Sequence, residues 1–203
     1  MLDHAKIKNE AKQLTTKKLR KVWLANLVVY LSMLFLGIVA YFLHSVMLGF
    51  LSFFLYIPLA VGLVGYNLNL VRKKEGQIFQ IFWSYRRSGL IILTVMLYYI
   101  LTFLWSMLFL IPGIIAFYCY SMSLYLLNEK ENFNSSALEI LNKSKKLMDG
   151  YKMDYFIFQI SFIGWFFLGI LTLGLAFIYV IPYYMLANVT YYDNLKTKRE
   201  NNS

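Results

Sequence analysis

The sequence predicts an all-α, polytopic membrane protein, and three observations carry that prediction. Its 203 residues are 60% hydrophobic and 19% aromatic, with a mean hydropathy of +0.57, more apolar surface than a water-soluble domain of this length hides. Asp, Glu, Lys and Arg are all absent from 22–70, 88–128 and 155–192, three stretches long enough for paired helices. A helix needs about 20 residues to cross a hydrocarbon core. The 20 basic residues fall entirely outside them: seven before the first stretch, five in 71–87, five in 128–153 and three in the tail. With no Lys or Arg left for the far side, the positive-inside rule places both termini and both long connections in the cytoplasm and predicts six transmembrane helices arranged as three hairpins.

Residues 1–21 form a basic amphipathic segment. Its apolar Ile7, Ala11, Leu14 and Val22 recur at helical spacing among Lys6, Lys8, Lys12, Lys17, Lys18, Arg20 and Lys21, which predicts a helix lying on the membrane surface. Hairpin 1 occupies 22–70, broken only at His44-Ser45. The first apolar run is longer than the core of a signal peptide, so it is expected to stay in the mature chain. In 71–87, Ile78, Phe79, Phe82, Trp83 and Tyr85 predict a second interfacial helix. Hairpin 2 fills 88–127, with its turn expected at Pro112-Gly113, because proline fixes φ and glycine tolerates positive φ. Residues 128–153 return to polarity. There Ser136 followed by Glu139 is a capping-box pattern opening a helix with Ala137, Leu138, Leu141 and Met148 on one face, and Gly150 is its stop. Hairpin 3 spans 154–192 and turns near Thr172-Leu173-Gly174; 193–203 reads as a frayed polar tail.

The layout repeats: a basic segment precedes each hairpin, and Pro58, Pro112 and Pro182 each follow isoleucine in the later part of one. A rival layout satisfies the same charge distribution, with the short hairpins 2 and 3 entering from the cytoplasmic face and returning without crossing.

Several function classes lose support. No ionisable Asp, Glu, Lys or Arg lies in the apolar stretches, where a proton- or ion-coupled transporter or an intramembrane enzyme keeps such groups. His4 and His44 are far apart in the sequence and Cys119 is the one cysteine, so neither a metal site nor a cofactor is expected. Glu129, Glu131, Glu139, Asp149 and Asp154 suit helix caps and ion pairs better than an acid–base cluster, and no nucleophile or phosphate-binding motif accompanies them. The basic charge suits anionic lipid headgroups rather than nucleic acid. Asn26, Gln159, Asn188, Ser121, Ser123 and Thr190 are expected to hydrogen-bond between helices. Trp23, Trp83, Tyr85, Tyr151, Tyr191 and Tyr192 form a cytoplasmic aromatic belt, while Trp105 and Trp165 anchor the outer side.

A resemblance rests on Ile111-Pro112-Gly113-Ile114-Ile115-Ala116, Ser144 to Gly150 with Met148, Ser161-Phe162-Ile163-Gly164-Trp165, and Ile181-Pro182-Tyr183. Together these resemble the bacterial integral-membrane family called domain of unknown function 975. The resemblance implies a multi-pass protein of the bacterial plasma membrane; it implies no reaction and no catalytic residues. The expected role is non-enzymatic and accessory or protective, such as immunity to a membrane-active peptide or toxin, with lipid and a membrane protein or peptide as partners. The alternative is a permease-like or lipid-handling protein. A membrane enzyme ranks third, with Glu129, Glu139 and Asp149 as its candidate residues.

Overall fold

The computed structural model describes residues 2–42, 44, 46–72 and 77–201, and every regular element among them is helical. The chain runs α1 (His4–Phe42), α2 (Val46–Val71), a 3₁₀ segment (Ile78–Arg87), α3 (Ser88–Leu108), α4 (Leu110–Tyr120), α5 (Ser123–Leu126), a short 3₁₀ turn (Lys130–Asn132), α6 (Ala137–Leu147), α7 (Lys152–Ile160), α8 (Ile163–Leu171) and α9 (Phe177–Glu200).

Among the described residues, four stretches are long and apolar enough to cross a membrane: His4–Val39, Phe54–Val71, Ile78–Leu108 and Lys152–Leu171. The fourth crossing expected from the sequence corresponds to the shorter apolar stretch Leu110–Leu126, and the sixth to α9, whose last turns are polar. In the most apolar window of Phe54–Val71, 56% of residues are buried, against 22% in those of His4–Val39 and Ile78–Leu108, so α2 is the central post and α1 and α3 show most of their surface outward.

The amphipathic segment is the start of α1, separated from the apolar part by a kink at Lys18 (φ −119°, ψ 16°). Ile7, Ala11, Thr15 and Val22 are buried, and α1 packs along α9 and α2. The stripe that suggested a membrane surface is therefore covered by protein; periodicity marks an apolar face without naming what covers it. The ammonium of Lys18 donates to the Leu70 carbonyl (3.2 Å), a cation meeting an open C-terminal carbonyl of α2. The expected interfacial helix in 71–87 is the 3₁₀ segment, which leads into α3 across a kink at Arg87 (φ −125°, ψ 26°); residues 73–76 lie outside the described ones.

Hairpin 2 does not turn at Pro112-Gly113. The chain reverses at the extended Phe109 (φ −157°, ψ 148°), and Pro112 sits in the first turn of α4, where its missing N–H costs nothing. Gly113 lies against Ser106, so close that a Cβ would come within 2.7 Å of the Ser106 Cα. The proline-glycine pair thus starts a helix and lets it pack tightly on its partner. The prolines of the other hairpins, Pro58 in α2 and Pro182 in α9, also lie in the second helix of each pair.

The capping box at Ser136 and Glu139 forms as read, and Gly150 adopts φ +73° after α6. On α6 the buried positions are Ala137, Ile140, Leu141, Ser144 and Met148, whereas Leu138 is exposed. Hairpin 3 turns where expected, at Leu173 (φ +52°) and Gly174 (φ +94°). The tail is not frayed: α9 continues to Glu200 and buries Leu195 completely.

Gly113→Ala is expected to destabilise the protein by about 1–3 kcal/mol through overpacking against Ser106. Gly164→Ala, with nothing within 4 Å of its added methyl, is expected to be neutral or slightly stabilising. Thermal unfolding of both variants in detergent separates these outcomes.

Candidate functional site at the charged end

Arg72 ends α2, Glu129 follows α5, and Tyr192, Asp193 and Lys196 occupy successive turns of α9, so three separate parts of the chain meet at one end of the bundle. The Arg72 guanidinium grips Glu129 with two bonds, Nη2 to Oε1 (2.7 Å) and Nη1 to Oε2 (3.1 Å), and its Nε donates to Asp193 Oδ1 (2.7 Å). The Tyr192 hydroxyl donates to Glu129 Oε1 (3.0 Å), and Lys196 lies 3.3 Å from Glu129 and 2.9 Å from Glu131. Bidentate, charge-assisted pairing of this kind is the strong form of an ion pair.

Glu129 is only 7% exposed. Burial by itself would push its carboxyl up, but the Arg72 hydrogen bonds and charge, with Lys196 and the Tyr192 hydroxyl, hold it below the usual carboxylate range. Burial likewise works against the Arg72 and Lys196 cations, yet their carboxylate partners raise both above their ordinary values. All three groups therefore stay ionised. A carboxylate committed to two cations and a phenol is a structural clamp, poorly suited to taking up a proton.

Beside the clamp opens a cleft of about 690 Å³ between α2, the long 3₁₀ segment and residues 127–133. Arg72, Arg87, Lys130, Trp83 and Asn128 are among its lining residues. Arg87 holds the opposite wall, donating to the carbonyls of Leu127 (3.2 Å) and Asn132 (2.7 Å) and lying over the Phe133 ring. Asn128 bridges inward to the Val61 carbonyl (3.0 Å), and Gly65 leaves the room for it.

A second polar cluster ties the first residues to hairpin 3. Asp154, 3% exposed, accepts from the Tyr191 hydroxyl (2.9 Å) and lies 3.2 Å from His4 Nε2. Next to it, Asn188 Oδ1 accepts from Tyr155 (2.7 Å) and Gln159 (2.6 Å), and Tyr184 donates to Gln159 (2.6 Å). Gln159 and Asn188 thus join helices as expected. Asn26, Ser121, Ser123 and Thr190 instead bond carbonyls three or four residues back in their own segments.

The family-motif residues do not converge on one place. Ile111 and Pro112 lie at the tip of hairpin 2, and Gly113 packs against α3. Ser144 joins α6 to α4 by donating to the Cys119 carbonyl (2.9 Å), with Met148 buried below it. Trp165 turns inward onto Tyr183 and Tyr179, while Pro182 and Tyr183 are buried in α9 and Gly164 faces open space. They are spread over hairpin 2, α6 and hairpin 3; Ser144, Met148, Trp165, Pro182 and Tyr183 pack inward, whereas Ile111 and Gly164 are exposed. Among the described residues, no group of three or more His, Cys, Asp or Glu is placed to hold a metal ion. Sequence reading missed the clamp because Arg72 and Glu129 are far apart in the chain and Asp193 and Lys196 read as tail. The one local signal was Tyr192-Asp193 followed by Lys196 at helical spacing.

Arg72→Ala strands the Glu129 carboxylate and is expected to cost roughly 3 kcal/mol, whereas replacing Arg72 and Glu129 together by Met and Leu costs much less. Because the Glu129 pKa is depressed on folding, the stability it contributes is full above its unfolded value of about 4.3 and is lost as pH falls toward its folded value. Unfolding midpoints measured across the acid range are expected to fall in the parent protein and to fall less steeply in Glu129→Gln.

Comparison with known proteins comes down to one match. Residues 107–199 match the family model described as a protein of unknown function (DUF975), from the end of α3 through almost all of α9. The resemblance carried by the Ile111-Pro112-Gly113, Ser144–Gly150, Gly164-Trp165 and Pro182-Tyr183 segments holds over this stretch. No curated protein and no solved structure shows significant similarity to the chain.

Proposed function

We propose that this chain, with its DUF975 region at 107–199, is a non-enzymatic multi-pass protein of the bacterial plasma membrane with both termini in the cytoplasm. It acts by lateral contact with lipid and with a membrane-active peptide or protein, in an accessory or protective role. The observation that carries this reading is the division of its surface. Large apolar side chains stand exposed along α1, α3, α4 and α8, while the charged end commits Arg72, Glu129, Asp193 and Lys196 to one another. The exposed apolar belt supplies contact area inside the bilayer, and the paired charges support a structural role for the carboxylates. Basic side chains on the flanking segments suit the anionic headgroups of the cytoplasmic leaflet.

Deleting the gene is expected to raise sensitivity to membrane-active peptides, including any encoded beside it, in growth-inhibition assays. Unchanged sensitivity across the panel removes the protective reading.

The cleft beside the clamp favours a second reading, lipid handling. It is lined by Lys130, whose charge suits a phosphate, and by Trp83 for the adjoining glycerol region. Protein reconstituted in liposomes would then move a headgroup-labelled lipid between leaflets faster than protein-free liposomes; equal rates remove this alternative.

A further inference from the structure

Six complete crossings require the tip of hairpin 3 to reach as far as that of hairpin 1. Two observations run against this. First, the indole of Trp23 donates to the carbonyl of Ile178 (2.6 Å), at the start of α9 and close to the hairpin 3 turn. From Trp23, α1 runs on to Phe42, about 28 Å of further helix at 1.5 Å per residue. The tip of hairpin 3 therefore stops well short of the tip of hairpin 1.

Second, the tip of hairpin 3 has the chemistry of hydrocarbon. Hairpin 1 turns at His44, whereas Leu171, Leu173 and Leu175 cap hairpin 3, all strongly exposed. A backbone in hydrocarbon must satisfy its polar groups internally, because no water is there to do so. The hairpin 3 turn does so. Leu173 N–H donates to Ile170 and Gly174 N–H to Gly169, the paired bonds of a Schellman stop, and the Thr172 hydroxyl accepts from Ala176 N–H. Every backbone N–H from Thr172 to Val180 has an acceptor.

We infer that hairpin 3 is re-entrant: it enters the bilayer from the charged side and ends among the acyl chains, while hairpin 1 spans it. The partner of its exposed apolar tip is the lipid interior. The chain then displaces more lipid from the leaflet on its charged side than from the other. This inference rests on the membrane placement and orientation proposed above.

Single cysteines at His44 and Leu173, introduced into the full-length protein in a Cys119→Ala background, test both. In intact cells a membrane-impermeant maleimide is expected to label His44→Cys and to leave Leu173→Cys at background. A bimane fluorophore on the latter, in proteoliposomes, is expected to be quenched more by a nitroxide near the acyl-chain end than by one near the headgroup. Labelling of Leu173→Cys from outside, or stronger quenching near the headgroup, overturns re-entrance and leaves the membrane placement standing. Failure of His44→Cys to label overturns the placement itself.

Discussion

The contact on which the rest of the structure depends is the grip of Arg72 on Glu129 and Asp193. It joins the end of the central helix α2, the connection after hairpin 2 and the last helix α9, so all three hairpins are tied at one end. Elsewhere the helices are held mainly by close packing and scattered hydrogen bonds. A clamp of charges at one end of the bundle adds to this, and it stays ionised because each buried group has an opposite charge beside it.

Close fit is visible where glycine removes a side chain from a helix contact. Gly62 lets the 3₁₀ segment lie against α2 at Ile81 and Ser84, Gly65 admits Asn128, and Gly113 admits Ser106. Between these contacts the interior is aromatic, with Tyr155, Phe158, Phe162, Tyr183 and Tyr191 forming a chain of tilted and edge-on rings from α7 to α9. Such rings bury large areas without rows of small residues on both helices. Their hydroxyls, through Asn188, Gln159 and Asp154, stitch hairpin 3 to itself and to the start of α1.

Hairpins 1 and 3 reach unequally: the Trp23 indole meets Ile178 near the turn of hairpin 3, while α1 continues to Phe42. Hairpin 1 turns at the polar His44, and the ion pairs gather at the other end of α2.

The sequence by itself determined the helical class, the apolar stretches and the single charged end, because hydropathy, charge placement and helix caps act over a few neighbouring residues. The capping box at Ser136, the stop at Gly150 and the turn at Leu173-Gly174 were legible for the same reason. Tertiary structure alone decided what lies against each apolar face. The Ile7–Ala11 stripe faces α9 and not lipid, Pro112 begins a helix and makes no turn, and Asp193 and Lys196 belong to the clamp and not to a loose tail. Each of these depends on partners more than 50 residues away or on how far one hairpin reaches beside another. An apolar face looks the same in sequence whether a helix or a lipid covers it.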